Sequence, residues 1–261
     1  MWQDDLGTTF DCPAPPQRIV SLVPSLTELL FDLGAGGWVV ARTNFCVHPR
    51  EQLHQKPSIG GTKNPKLDRI LNLRPDLVIA NKEENQKTDI EALRAAGLPV
   101  WVTDIQDLPD NQHFIHRLGD ALDRKDAAAA LIQSIKTAFD CLPTYTRLLP
   151  CLYLIWQKPY MAAGKDTFID AMMSRAGLQN VLAQSRYPVL SIEEMQNLHP
   201  EVILLSSEPY PFKDKHVAAF QGLFPHAHIR LADGELFSWY GSRIRLAPDY
   251  FLQLRQSLSC P

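Results

Sequence analysis

The sequence has little of what marks three common classes of protein. No apolar run approaches the roughly 18–20 residues that span a bilayer. The formal net charge of −3 offers no basic surface for the phosphates of a nucleic acid, so no nucleic-acid partner is expected. The opening segment MWQDDLGTTFDCPAPPQRIV lacks a basic stretch followed by an apolar one and is not predicted to be a secretory signal. Either a signal has been removed or the protein stays in the cytoplasm.

Cysteine is scarce and irregularly placed. An odd number of cysteines without regular spacing indicates neither a disulfide framework nor a zinc motif. The five are Cys12, Cys46, Cys141, Cys151 and Cys260. Cys46 and His48 could bind a metal, but two ligands without a third favour a buried cysteine and a surface histidine. No metal site is predicted.

Familiar enzyme signatures are missing as well. The chain contains no G-x-S-x-G elbow, no Walker A lysine, no G-x-G-x-x-G and no H-E-x-x-H. A non-enzymatic protein is therefore expected, with no catalytic residue and no intrinsic cofactor. An enzyme on the same scaffold is the less favoured alternative, because a fold does not determine a function.

What the sequence does contain is a repeated segment. Residues 67–85, LDRILNLRPDLVIANKEEN, align with residues 192–210, IEEMQNLHPEVILLSSEPY, at an offset that superposes Pro75 on Pro200. Each copy predicts a short helix, a Leu-x-Pro-acid turn, a buried strand and a loop with a carboxylate, Glu83 or Glu208. A chain with two related halves suggests two lobes with a ligand held between them.

Predicted strands and helices alternate on both sides of a long helical stretch. Pro24–Leu33 is a predicted helix with Ser25 as its N-cap and Glu28 completing a capping box. Alternation of strand and helix indicates a parallel sheet covered on both faces. Between the two series, residues 111–142 predict one long helix that Pro143 ends.

The predicted fold is α/β, with two Rossmann-like lobes joined by a single long helix and a ligand cleft between the lobes. The expected boundaries are 17–108 for the N-terminal lobe, 109–143 for the helix and 149–261 for the C-terminal lobe. One large doubly wound domain is the alternative.

This arrangement resembles a family of substrate-binding proteins. Three stretches carry the resemblance: RIVSLVPSLTELLFDLG (18–34), IGGTKNPKLDRILNLRPDLVIA (59–80) and AGKDTFIDAMMSRAGLQNV (163–181). They are similar to ABC-transporter periplasmic binding proteins of the helical-backbone class, the receptors for vitamin B12, ferric siderophores and haem. The resemblance implies a monomer that clamps a small-molecule ligand, a corrinoid, haem or ferric siderophore, and delivers it to a membrane permease. A cytoplasmic relative that binds another polar metabolite or acts as a sensor is the runner-up.

The resemblance also implies a docking carboxylate on each lobe, which pairs with arginines of the permease. Asp68 matches the family position in the first lobe, although the family usually has glutamate there. Glu193 is the repeat-related candidate in the second lobe. The alternative for Asp68 is an acid that is favoured by the helix dipole alone.

Ligand-binding candidates lie on loops that follow predicted strands, where open α/β sheets bind their ligands. In the segment Phe237–Arg243, Trp239 and Tyr240 could stack on a planar ligand while Arg243 holds an anionic group. Ser238 of the same segment is a further ligand-binding candidate. The alternative is that both rings pack the end of the lobe and Arg243 makes a structural ion pair.

Weaker candidates complete the predicted site. Trp156 and Tyr160 flank Lys158 and Pro159, at a place where the family often has aromatic walls. Polar candidates in the first lobe either follow a strand or lie in a glycine-rich loop; they are Asn44, Lys63, Glu83 and Glu84. A solvated helix start is the alternative for the two glutamates.

Overall fold

Buried runs of aliphatic residues form the strands of two separate sheets. The computed structural model describes residues 1–13 and 15–258. The chain divides into two units. Unit 1 comprises Met1–Ile105, Pro109–Ile135 and Tyr240–Arg243, and unit 2 comprises Gln106–Leu108, Lys136–Trp239 and Ile244–Pro261.

Unit 1 is built on a parallel sheet of four strands. A short hairpin, β1 (Trp2–Gln3) and β2 (Thr9–Phe10), precedes β3 (Ile19–Ser21), β4 (Val39–Arg42), β5 (Leu77–Asn81) and β6 (Val100–Thr103). The strand order is β4-β3-β5-β6. The helices are α1 (Pro24–Asp32), α2 (Arg50–Leu53), α3 (Leu67–Leu73) and α4 (Lys87–Ala95), followed by α5 (Leu108–Ala121). Helix α6 (Lys125–Asp140) belongs to unit 1 as far as Ile135 and to unit 2 from Lys136 onward. Every residue of β5 is buried, as expected for a central strand that is covered on both faces.

Unit 2 has a mixed sheet around the long strand β7 (Leu149–Trp156). The other strands are β8 (Tyr160–Ala162), β9 (Leu178–Asn180), β10 (Val189–Leu190), β11 (Val202–Ser206) and β12 (His228–Ala232). Strand β7 pairs in parallel with β11 and antiparallel with β8. The helices are α7 (Phe168–Arg175), α8 (Ile192–Asn197), α9 (Asp214–Leu223), α10 (Gly234–Ser238) and α11 (Ala247–Ser257). The predicted α/β class is confirmed.

The sequence repeat is also a structural repeat. Helices α3 and α8 begin at equivalent residues of the two copies, and strands β5 and β11 cover equivalent residues throughout. Arg74 and His199, also equivalent, both have a φ of 47°. Each precedes a proline, Pro75 or Pro200, which disfavours the helical conformation in the residue before it. The helix of each copy therefore ends at the same place, and the chain turns directly into a buried strand.

The prediction of a single connecting helix over 109–143 was wrong. Helix α5 ends at Ala121 and α6 begins at Lys125, and Asp123 between them has a φ of 53°. Aspartate tolerates this left-handed conformation better than most residues. A Cβ atom at Gly119 would lie 2.4 Å from the Cβ atom of Ala128. The missing side chain of Gly119 thus allows α6 to pack closely against α5 where the chain turns.

The predicted capping box of α1 was wrong as well. The N-cap residue is Val23, no side chain caps the helix, and Pro24 occupies the first turn. Proline suits this position because its missing N–H would have no partner there and its φ is already helical. Glu28 is thereby free of the capping role and pairs with a distant arginine, as described below.

Three further observations concern the described part of the chain. None of its helices is long and apolar enough to cross a membrane. None of its histidine, cysteine, aspartate and glutamate side chains form a group of three suited to a metal ion. Its four cysteines, Cys12, Cys46, Cys141 and Cys151, are free, whereas Cys260 lies outside the described residues.

Two leucines paired across β11 and β12 test how much of the stability lies in the core of unit 2. Leu205 is fully buried and its register partner Leu231 is 39% exposed. Leu205→Ala should lower the free energy of unfolding by about 2–5 kcal/mol, because it leaves a cavity. Leu231→Ala should change it by less than about 1 kcal/mol. Chemical denaturation measures both, and equal losses would contradict the assigned register and burial.

Candidate functional site

The loops that follow the parallel strands lie at one edge of each sheet, where the carboxyl ends of the strands meet. In unit 1 these loops follow β4 and β5, and in unit 2 they follow β7, β11 and β12. Ligands of open α/β sheets bind at this edge.

Two buried asparagines shape the loop that follows β5 in unit 1. The side-chain oxygen of Asn81 accepts the backbone N–H groups of Glu83 and Glu84, at 2.8 and 3.1 Å. The backbone N–H of Asn81 donates to the side-chain oxygen of Asn85 (2.8 Å), and the Asn85 amide donates to the carbonyl of Thr62 (2.9 Å). The loop is therefore held by two amide side chains, whose roles the sequence reading missed.

Lys63, Glu83 and Glu84 form a charged cluster on this loop and its neighbour. The ammonium group of Lys63 donates to the backbone carbonyl of Glu83. The pKa of Glu84 is raised, above all by desolvation of the carboxylate. The positive charge of Lys63 lowers this pKa and the negative charge of Glu83 raises it. A cationic group or hydrogen-bond donor of a ligand beside Glu84 would stabilise its charged form.

The loop after β4 presents Asn44 and an aromatic residue. The side-chain oxygen of Asn44 accepts a hydrogen bond from Ser58, and its backbone N–H donates to the Gly60 carbonyl at 2.8 Å. Phe45 is 59% exposed, and its ring would lie 3.4 Å from a Cβ atom at Gly61. The sequence reading missed Phe45, although an aromatic residue in a loop that follows a strand was the available signal.

In unit 2 the exposed aromatic side chain is Trp156, at the carboxyl end of β7. Its side chain is 38% exposed and lies edge-to-face with Tyr210, at 5.7 Å between ring centroids. Tyr160 is half-buried and packs edge-on against Phe220 in the core, at 5.5 Å. The structure thus separates the two predicted aromatic candidates, because only Trp156 offers a ring to solvent. Tyr210, its neighbour, was not predicted.

Glu208 holds the segment that precedes Tyr240. One of its carboxylate oxygens accepts hydrogen bonds from the hydroxyl of Ser238 and from the indole N–H of Trp239, both at 2.7 Å. Trp239 and Tyr240 are each only 7% exposed. This placement favours packing over ligand stacking for both rings, and it assigns Ser238 a partner inside the protein.

Arg243 makes the ion pair that the sequence left open as its alternative. Arg243 and Glu28 both belong to unit 1. The guanidinium group of Arg243 binds both carboxylate oxygens of Glu28, at 2.7 and 2.9 Å, and both side chains are largely buried. Two hydrogen bonds between Asn111 and the backbone of Gly241, at 3.1 and 2.6 Å, hold the same segment. A bidentate pair of this kind is strong, so an anionic ligand would compete with Glu28 for Arg243.

The two predicted docking carboxylates occupy equivalent places in their units. Asp68 and Glu193 are exposed in the first turns of α3 and α8. The neighbouring Glu194 is used differently, because its carboxylate accepts the Ser191 N–H (2.7 Å) in a capping box. These hydrogen bonds also lower the pKa of Glu194. Glu193 projects from the same helix without this engagement.

Removal of the Glu208 carboxylate should destabilise unit 2. Glu208→Ala leaves the Ser238 hydroxyl and the Trp239 indole without their shared acceptor, so the free energy of unfolding should fall by about 1.5–3 kcal/mol. Glu193→Ala, an exposed glutamate of the same unit, should leave the unfolding curve unchanged. Chemical denaturation of both variants provides the comparison. Identical curves for Glu208→Ala and the parent protein would contradict the role assigned to this carboxylate.

Comparison with known proteins identifies the family. A family model described as "Periplasmic binding protein" matches residues 19–223. The vitamin B12-binding protein of Vibrio parahaemolyticus is 26% identical over 197 residues, which cover 74% of this chain and 71% of that protein. An ABC transporter substrate-binding lipoprotein of Bacillus subtilis, described as uncharacterized, is 27% identical over 200 residues, covering 72% and 63% of the two chains.

A solved structure agrees with these matches. The periplasmic heme-binding protein of Roseiflexus sp. RS-1, in its apo form, superposes with a TM-score of 0.79 at 25% identity, covering 93% of this chain and 99% of that one. The relatives are substrate-binding proteins of transport and not enzymes, and they support a ligand-binding role in ABC import. The chain belongs to the periplasmic binding protein family.

Proposed function

We propose that this protein is the substrate-binding component of an ABC importer and that its ligand is a metal chelate: a corrinoid, haem or a ferric siderophore. The observation that carries the proposal is the exposed ring of Trp156 at the carboxyl end of the central strand of unit 2. The named relatives support the ligand class, because one binds vitamin B12 and another binds heme. A flat conjugated ligand stacks well on an indole ring.

The loops of unit 1 supply groups for the polar periphery of such a ligand. Lys63 provides a cation for a propionate, phosphate or hydroxamate oxygen, and Glu84 provides an acceptor for an amide N–H. Asn44 and Phe45 add an amide and an apolar ring on the neighbouring loop. The apolar and polar candidates together match a ligand with a large hydrophobic face and a hydrophilic rim.

The family places such proteins outside the cytoplasm, and we propose the same compartment and a monomeric state here. A cytoplasmic relative that binds a smaller polar metabolite is the second candidate. The charged cluster of Lys63, Glu83 and Glu84 favours it, because these side chains could bind a zwitterion without an aromatic wall.

Asp68 and Glu193 are the proposed contacts with the permease. Both are exposed carboxylates at equivalent positions of the repeat. Within the described residues, no ion pair occupies either of them. Charge pairs at such a rim set the orientation and rate of association more than its final strength.

Trp156→Ala tests the stacking contact. Cyanocobalamin, haemin and ferrichrome are titrated against the protein, with tryptophan fluorescence and equilibrium dialysis as readouts. For the ligand that binds, the variant should have an affinity about two- to tenfold lower than the parent, because one aromatic contact is lost. Leu231→Ala, a surface change in the same unit, should bind as the parent does. Binding of none of the three compounds would overturn the proposed ligand class in favour of the polar metabolite.

Asp68→Ala combined with Glu193→Ala tests docking. The double variant should bind ligand normally but associate about tenfold more weakly with the permease of the cognate importer in nanodiscs, since it removes both proposed charge pairs. Association of the parent should weaken with added salt. Glu91→Ala, an exposed acid on α4 of unit 1, is the matched control. Unchanged association of the double variant would refute these docking contacts.

A further inference from the structure

Trp156 is backed by a cluster of aromatic rings that the proposed function does not require. Tyr210 contacts Trp156, Phe212 and His216, with ring centroids separated by 5.7, 4.8 and 5.7 Å. Phe212 and His216 lie perpendicular to each other at 5.3 Å. All four rings belong to unit 2, and His216 is 7% exposed. The exposed indole is therefore joined through one tyrosine to a buried histidine.

A chain of hydrogen bonds runs through the same residues and determines the tautomer of His216. The backbone N–H of Lys213 donates to Nδ1 of His216 at 2.8 Å, so Nδ1 carries no proton. A neutral ring must then carry its proton on Nε2, which lies 3.4 Å from the Tyr210 hydroxyl. That hydroxyl donates to the side-chain oxygen of Gln157 at 2.8 Å. Gln157 directly follows Trp156, so the chain ends beside the exposed ring.

The surroundings of His216 oppose a positive charge. The pKa of this histidine is lowered, first by burial and then by the nearby charges of Lys215 and Lys213. The ring also lies in the first turn of α9, where the helix dipole disfavours a cation. A proton on Nδ1 would meet the hydrogen of the Lys213 N–H group, so protonation breaks that contact. The phenol ring of Tyr210 also faces the imidazole.

We infer that His216 and Tyr210 are positioning residues that hold Trp156 in one orientation while His216 is neutral, and that they release it when His216 is protonated. When the contact with Lys213 is lost, the imidazole turns and no longer holds the hydroxyl of Tyr210. The ring of Tyr210 then no longer supports the ring of Trp156. Ligand affinity then falls in acid. The predicted effect of pH on the orientation of Trp156 does not depend on the proposed function, whereas the predicted effect on ligand affinity rests on it.

The orientation of the Trp156 ring can be tested without any ligand. The full-length protein is labelled with 5-fluorotryptophan, and the ¹⁹F resonance of Trp156 is assigned with Trp156→Phe. Between pH 7.5 and 5.0 this resonance should shift or broaden, with a midpoint below the ordinary histidine value of about 6.5. The resonances of the other four tryptophans provide the internal control.

Two substitutions separate positioning from a general structural role. His216→Gln keeps an oxygen for the Lys213 N–H and a nitrogen for Tyr210 but does not titrate, so its Trp156 resonance should match that of the parent at pH 7.5 and stay constant in acid. His216→Phe should show the acid-form resonance at every pH. His226→Gln, an exposed histidine of the same unit, should titrate as the parent does. A parent resonance that does not move, or one that still moves in His216→Gln, overturns the inference.

A second arm measures affinity for cyanocobalamin and haemin at pH 7.5 and 5.5. The parent should bind about three- to tenfold more weakly at the lower pH and His216→Gln should not, because ordering a released side chain costs binding free energy. If the fluorine resonance titrates and neither compound binds, the proposed ligand class fails and the positioning role stands. If a compound binds with equal pH dependence in both proteins, control of ligand affinity by His216 is refuted and the proposed function stands.

Discussion

Hydrogen bonding between parallel strands is the constraint on which the rest of this structure depends. A parallel pair cannot be closed by a short turn, so the chain must cross over between two parallel strands and return to the same end of the sheet. The central strands β5 and β11 are buried over their whole length, which requires helices on both faces. Asn81 and Ser206, the last residues of these strands, therefore open loops at one edge of each sheet. The candidate ligand residues of both units lie at that edge because the backbone leaves no other place for their loops.

Polar side chains behind the loops then decide which groups face the solvent. Asn85 ties its loop to the Thr62 carbonyl, and Glu208 receives two donors on one carboxylate oxygen. Each such contact restricts the conformations of its loop but buries a polar group. The burial is tolerated only because the group makes a hydrogen bond inside the protein. Trp156 stays exposed since Tyr210 supports its edge without covering it. Side chains that are already held by such contacts would lose less conformational entropy when a ligand binds.

The sequence predicted what depends on local pattern and missed what depends on distant partners. The repeat correctly located α3, β5, α8 and β11, because hydrophobic periodicity and the Leu-x-Pro turn are local signals. The break at Asp123 was missed, because the close contact between Gly119 and Ala128 that accompanies it joins two helices of the folded chain.

The candidate site shows the same division. Glu28 read as half of a capping box, yet its partner Arg243 lies 215 residues away in the sequence. Trp239 and Tyr240 read as a stacking surface for a similar reason, because nothing near them in the sequence reveals that Glu208 receives the Trp239 indole or that both rings are buried. Phe45 and Tyr210 were overlooked because exposure and edge-to-face contact are properties of the folded chain. Loop residues can be located from sequence at the correct edge of a sheet, but their orientation depends on contacts that only the tertiary structure supplies.

We propose that this member of the periplasmic binding protein family carries a metal chelate. Native mass spectrometry of the protein purified from its own cells tests it most directly. We expect a one-to-one complex whose added mass and isotope pattern correspond to a corrinoid, haem or ferric siderophore, with the matching visible absorption. Purification with a small, metal-free polar metabolite in its place would contradict the claim.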